Sequence, residues 1–113
     1  MHEMSIALNI VEIAEQEAKK ASVNEFAAIE LEIGTLAGIE FSALDFVWES
    51  AVKDSVLEKA KKSVKKIQAI ASCRQCNTEF IIEFVHDPCP KCESFEKEII
   101  RGKELRVKSL ETF

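Results

Sequence analysis

The first twenty residues show the hydrophobic pattern of an amphipathic helix. Apolar side chains recur at three- and four-residue intervals, with charged and amide side chains on the opposite side. The apolar stripe consists of Met4, Ala7, Leu8, Val11, Ala14 and Ala18. The pattern predicts a helix that begins almost at the first residue, so His2 is tied to a rigid element.

The middle of the chain alternates in the manner of a half-buried strand and then returns to a helical period. In "FAAIELEI", Ile29, Leu31 and Ile33 share one face. Ser42 and Asp45 approximate an N-cap arrangement for a second helix. We expect its buried stripe to consist of Leu44, Val47, Trp48, Ala51 and Val52, with the tryptophan as a core anchor.

Two further strands complete the predicted fold. One is expected from about Val64 to Ala71, and the tail "GKELRVKSLETF" predicts another, with Leu105 and Val107 on one face. Each face of a sheet must be buried against something. The predicted class is therefore α+β, with a three-stranded sheet packed with two helices.

Composition narrows the class of protein. The chain has 113 residues, 47% of them hydrophobic, and a net charge of −5. This length allows one modest domain, with at most a small added module. No apolar run approaches the roughly 20 residues that span a bilayer, and the start lacks the sections of a secretory signal. We expect a cytoplasmic protein without a membrane partner, in which cysteines bind metal more readily than they form disulfides.

One segment departs from the acidic balance. "KDSVLEKAKKSVKK" carries six lysines and only two acidic residues. A solvated helix end, loop and strand entry accounts for it, and docking on an acidic partner is the alternative. The overall negative charge disfavours nucleic acid as a partner, because phosphate binding requires a cationic surface.

The most specific motif is "CRQCNTEFIIEFVHDPCPKC", which contains two Cys-x-x-Cys pairs twelve residues apart. Two residues between thiolates form a tight knuckle that directs both sulfurs at one ion, and a hairpin built on "EFIIEFV" would join the knuckles. The pattern predicts an inserted zinc-ribbon domain over residues 72–98, beside an α+β domain of residues 1–71 plus 99–113. Its four ligands to a structural Zn(II) would be Cys73, Cys76, Cys89 and Cys92. A rubredoxin-like iron site would use the same sulfurs.

Separate predictions concern three residues in or directly after this motif, Asn77, His86 and Glu93. The residue after each knuckle often needs a positive φ, which Asn77 tolerates and Glu93 does not, so a backbone cost or a different turn is expected at Glu93. His86 is interpreted as an exposed turn residue, with a metal-related role as the alternative.

A histidine in second position can bind a metal with little help from the rest of the chain. The terminal amine of Met1, the backbone amide of His2 once deprotonated, and the imidazole are three nitrogen donors. A near-planar nitrogen set suits nickel(II) or copper(II), and Glu3 can complete the coordination. An unremarkable exposed side chain is the alternative.

Four segments together resemble one known family. "MHEMSIA", "LEIGTLAGIE", the cysteine pairs "CRQC" and "CPKC", and "GKELRVKSLE" are similar, in this order, to the HypA/HybF family of hydrogenase-maturation nickel metallochaperones. The resemblance implies nickel bound through His2 and nearby backbone nitrogens, with Glu3 contributing, and zinc held structurally by the four cysteines. It also implicates the acidic residue at position 40, here Glu40. The chain departs from the family at Glu93, where glycine is common, and at residues 54–55, where the family often has Gly-Thr.

These observations predict a metallochaperone and not an enzyme. No Ser-His-Asp or Cys-His constellation is visible, and a four-cysteine site leaves no open position for substrate. The resemblance implies Ni(II) as transferable cargo, with a hydrogenase-maturation GTPase and the large subunit of a nickel-iron hydrogenase as partners. An iron electron carrier and a nucleic-acid-binding zinc ribbon are the alternative functions. The sequence does not predict an oligomeric state.

Overall fold

The computed structural model describes residues 3–113, which form two helices and six strands. Helix α1 spans Glu3–Ala21 and α2 spans Phe41–Val52. The strands are β1 Ala28–Gly34, β2 Lys61–Ile67, β3 Ile70–Cys73, β4 Glu79–Ile81, β5 Lys97–Arg101 and β6 Leu105–Glu111. None of the helices in this part of the chain is both long and apolar enough to cross a membrane.

The strands form two three-stranded sheets. One has the order β2-β1-β6 and the other the order β4-β3-β5. The predicted α+β class, with two helices, a three-stranded sheet and a separate cysteine module, is confirmed.

The chain divides into two compact units. The first contains Met1–Leu31, Ile39–Lys65 and Arg106–Phe113, and the second contains Glu32–Gly38 and Lys66–Leu105. The second unit is thus longer than the predicted 72–98 module. That residues 1–71 plus 99–113 and residues 72–98 form two independent domains stays a prediction.

Helix α1 buries a stripe slightly different from the predicted one. Ile6, Ala7, Ile10, Ala14 and Ala18 are buried, whereas Met4 is 38% exposed and Leu8 is 50% exposed. The three alanines belong to both the predicted and the observed stripe. The buried face of α1 is therefore shifted from the predicted one toward Ile6 and Ile10. Branched isoleucines next to small alanines allow close packing, and α1 packs on α2.

Helix α2 follows its predicted stripe but begins differently. Leu44, Trp48, Ala51 and Val52 are buried, which confirms the tryptophan as a core residue. The predicted N-cap is wrong, because Glu40 occupies the N-cap position and makes no side-chain cap hydrogen bond.

The strand predicted over residues 64–71 is two strands. β2 ends at Ile67, and β3 begins at Ile70 in the other sheet. Between them, the backbone N–H of Ala69 donates to Thr35 Oγ1 over 3.0 Å. The hydroxyl of another segment therefore satisfies a donor that a continuous strand would have paired within its ladder.

The cysteine module has a different hairpin from the predicted one. β3 is the central strand and pairs antiparallel with both β4 and β5, with Ala71 opposite Phe80 in the first pair. The hairpin therefore surrounds the first cysteine pair, and only its second strand, β4, comes from the segment "EFIIEFV" on which the predicted hairpin was built. The buried cluster of this module consists of Ala69, Ala71, Cys73, Phe80, Ile82 and Cys89.

Candidate metal centres

The sulfur atoms of the four cysteines form one compact cluster. Their Sγ atoms all lie within 4.8 Å of one another. Cys73 Sγ is 3.4 Å from Cys92 Sγ, and Cys76 Sγ is 3.7 Å from Cys89 Sγ. Zinc–sulfur bonds of about 2.3 Å in a tetrahedron separate the sulfurs by about 3.8 Å. The donor set and its spacing therefore fit one tetrahedral ion such as zinc.

Two matching knuckles place these sulfurs. The N–H of Asn77 donates to the carbonyl of Cys73 over 2.9 Å, and the N–H of Glu93 donates to that of Cys89 over 2.8 Å. Asn77 has a φ of 61° and Glu93 a φ of 63°. Both residues thus adopt the left-handed conformation, and the expected backbone cost falls at Glu93, which lacks the local tolerance of asparagine.

The ionisation of the thiols is uneven. Thr78 lowers the pKa of Cys76 to about 6 through its hydroxyl, 3.2 Å from Cys76 Sγ, and through its backbone N–H. The backbone N–H of Cys76 lowers the pKa of Cys73. The Ser94 backbone N–H lowers that of Cys92, but the neighbouring thiols and burial outweigh it and raise the pKa to about 12. Four thiolates this close together would repel one another, and a bound metal cation would offset that repulsion.

Thr78 was not singled out by the sequence patterns, although it is the largest influence on the ionisation of Cys76. Its position two residues after a cysteine is the only local signal that could have pointed to it.

His86 is an exposed turn residue, as predicted. Its ring stacks on Phe84, with centroids 5.7 Å apart. The carboxylate of Asp87 accepts the backbone N–H groups of Phe84 and Glu83, which lowers the pKa of Asp87. Two backbone hydrogen bonds therefore hold the turn.

Two acidic residues meet at the start of α1 and α2. The backbone N–H of Glu40 donates to Glu3 Oε2 over 3.2 Å, and Ser42 Oγ donates to Glu40 Oε1 over 3.2 Å. An open pocket beside them is lined by Glu3, Met4, Glu40, Ser42, Ala43, Phe46 and Val47. Met1 and His2, the other predicted nickel ligands, lie outside the described residues.

Together these features define a small α+β protein with a four-cysteine cluster that could hold a metal ion and with two acidic residues in contact at the start of its helices. Residues 1–112 match the family model described as "Hydrogenase/urease nickel incorporation, metallochaperone, hypA". The chain therefore belongs to the HypA family. Membership in this metallochaperone family confirms the resemblance and the prediction that the chain is not an enzyme.

Curated relatives and a solved structure agree with this assignment. The chain is 44% identical to the hydrogenase maturation factor HypA of Parabacteroides distasonis, with 97% of this chain and 96% of the relative covered. It is 41% identical to the HypA of Geotalea uraniireducens, with 98% of each covered. The solution structure of the nickel metallochaperone HypA from Helicobacter pylori has a TM-score of 0.70 and 25% identity, and the match covers 99% of this chain and 97% of that one.

Proposed function

We propose that the chain binds Ni(II) at its N-terminus and delivers it to the large subunit of a nickel-iron hydrogenase, together with a maturation GTPase. In this proposal the amine of Met1 and the amide and imidazole of His2 bind the ion, and Glu3 and Glu40 contribute carboxylates. Membership in the HypA family and relatives named as hydrogenase maturation factors support the assignment.

The observation that best supports the proposed nickel site is the contact between Glu3 and Glu40. These residues are 37 positions apart, yet the Glu40 N–H donates to the Glu3 carboxylate. Glu3 directly follows His2 in the chain. Glu3 and Glu40 also line the same pocket, so two carboxylates are available near the residue that would supply the nitrogen donors. Oxygen donors can complete a nitrogen-rich nickel site.

The chemistry of such a site suits a carrier. Glu40 is exposed, Glu3 is half-buried, and both line an open pocket, so their carboxylates are accessible to a partner that supplies or accepts the ion. A terminal site with few protein ligands can exchange its ion without unfolding the domain. Copper(II) binds such donors more tightly than nickel(II), so metal availability and partner recognition must provide the selectivity.

The four cysteines hold structural Zn(II) in this proposal. Four protein donors close a tetrahedral ion and leave no position for cargo. Iron in the same sulfur cage is the competing assignment. Metal analysis of the purified protein distinguishes zinc from iron. Its colour does so as well, because an iron protein would be red and a zinc protein colourless.

The nickel site is tested with protein that has an unmodified N-terminus. We expect calorimetry to show that His2→Ala, or any tag ahead of Met1, abolishes nickel binding while zinc content is retained. Glu40→Gln should weaken binding less, and Glu49→Gln, which alters an exposed carboxylate of α2 outside the pocket, is the matched control. Nickel binding by the tagged protein at the affinity of the free one would contradict the proposed site.

A further inference from the structure

The first turn of α2 is built in an unusual way. Serine is among the best N-cap residues, because its hydroxyl can accept a backbone N–H of the first turn. Here Glu40 is the N-cap and makes no side-chain cap hydrogen bond, while Ser42 lies one residue inside the helix start at Phe41. The helix therefore begins without a side-chain cap, and the Glu40 carboxylate is directed elsewhere.

The Ser42 hydroxyl is hydrogen-bonded to the Glu40 carboxylate. Ser42 Oγ donates to Glu40 Oε1, and the backbone N–H of Glu40 donates to Glu3 Oε2. One residue thus receives a hydrogen bond at its side chain and gives one from its main chain. All three residues line the same pocket.

We infer that Ser42 is a positioning residue that holds the Glu40 carboxylate in one orientation before nickel arrives, an inference that rests on the proposed nickel site. An exposed glutamate samples many rotamers, and each side chain that must be ordered on binding lowers affinity. A hydrogen bond already present in the metal-free protein removes part of that cost. Ser42 donates to the carboxylate and is not a nickel ligand.

The test compares Ser42→Ala with Ser42→Thr and Ser50→Ala. Threonine keeps the hydroxyl, and Ser50 is an exposed serine of the same helix that lies outside the pocket. We expect Ser42→Ala to weaken nickel binding about threefold to tenfold by calorimetry, in keeping with the loss of one side-chain hydrogen bond. Ser42→Thr should restore most of the affinity, and Ser50→Ala should leave it unchanged.

A measurement on metal-free protein separates this inference from the nickel assignment. Three-bond couplings measured by NMR report whether the Glu40 side chain keeps one rotamer. We expect Ser42→Ala to average those couplings, while Ser42→Thr and Ser50→Ala preserve them. Two results would overturn the positioning role. One is that the couplings are unchanged in Ser42→Ala. The other is that Ser42→Ala leaves the nickel affinity unchanged although Glu40→Gln weakens binding. If Glu40→Gln has no effect on nickel, the proposed ligand set fails instead, whatever the couplings show.

Discussion

Removing one cysteine ligand is the sharpest test of how the cysteine module is held together. The buried cluster contains two of the four ligands and the large apolar side chains Phe80 and Ile82, and the half-buried Leu36 and Ile99 pack against it. Burying Phe80 and Ile82 contributes about 3–6 kcal/mol together, at about 1.5–3 kcal/mol each, and the two half-buried side chains add less than that. Zinc contributes about 10–16 kcal/mol in small zinc-binding peptides. The metal term exceeds the apolar one, so we expect Cys89→Ala to unfold the module.

The assay is amide hydrogen exchange on the zinc-loaded protein, the Cys89→Ala variant and chelator-treated protein. The N–H groups of Asn77 and Glu93, bonded to the Cys73 and Cys89 carbonyls, report on the knuckles. Their exchange should accelerate at least a thousandfold, equivalent to about 4 kcal/mol of lost local stability. The Phe26 N–H, bonded to the Val56 carbonyl in the first unit, should stay protected.

The matched control is Ser72→Ala, which removes a hydroxyl next to a ligand on β3 and leaves all four thiols. It should retain zinc and protection. If the knuckle amides stay protected after the metal has been removed, the module is held by its apolar cluster and the reasoning is refuted. Stoichiometric iron in the protein as isolated would refute the identity of the metal.

Three further predictions concern the nickel site, a close backbone approach and a strained turn. Lowering the pH from about 7.5 to about 6 should weaken nickel binding in calorimetry, because a free imidazole titrates near 6.5 and a free terminal amine near 7.7–8.0; an affinity that is flat over this range would contradict nitrogen ligation. Gly34→Ala should lower the free energy of unfolding by about 3 kcal/mol in urea titrations, since its Cβ would lie 2.0 Å from the backbone of Gly102; Ser50→Ala is the control. Glu93→Gly should stabilise zinc-loaded protein by about 1 kcal/mol in thermal melts, because φ is 63° there; Lys91→Gly, at a residue without a positive φ, should not stabilise it.

The cysteine cage was predictable because its determinants are local. Two residues between cysteines already specify a knuckle, and the positive φ expected after each pair is found at Asn77 and Glu93. The helix stripes were predictable for the same reason, except that periodicity alone did not choose between the Leu8 side of α1 and its Ile6 side. That choice depends on packing against other elements, which local spacing does not contain.

The remaining differences come from contacts that are distant in the sequence. No glycine or proline marks the break between β2 and β3, and the hydroxyl that accepts the Ala69 N–H belongs to Thr35. The contact between Glu40 and Glu3 likewise joins segments that no local pattern connects. Only the family resemblance pointed to Glu40, and the sequence pattern assigned Ser42 a different role, as part of an N-cap.

In the proposed assignment, the two metals are kept apart by the kind of site and not by affinity alone. Divalent nickel and copper bind thiolates as well as nitrogen donors, so an empty sulfur cage would compete with the terminal site for cargo. A cage already closed by zinc removes that competition, because all four positions of the ion are filled by Cys73, Cys76, Cys89 and Cys92. The carboxylates of Glu3 and Glu40 then remain as donors for an exchangeable ion. Zinc-depleted protein should accordingly bind more than one nickel per chain, with the additional ion abolished by Cys76→Ser and retained in His2→Ala, as measured by metal analysis after desalting. A single nickel in zinc-depleted protein, lost in His2→Ala, would show that the cage does not compete.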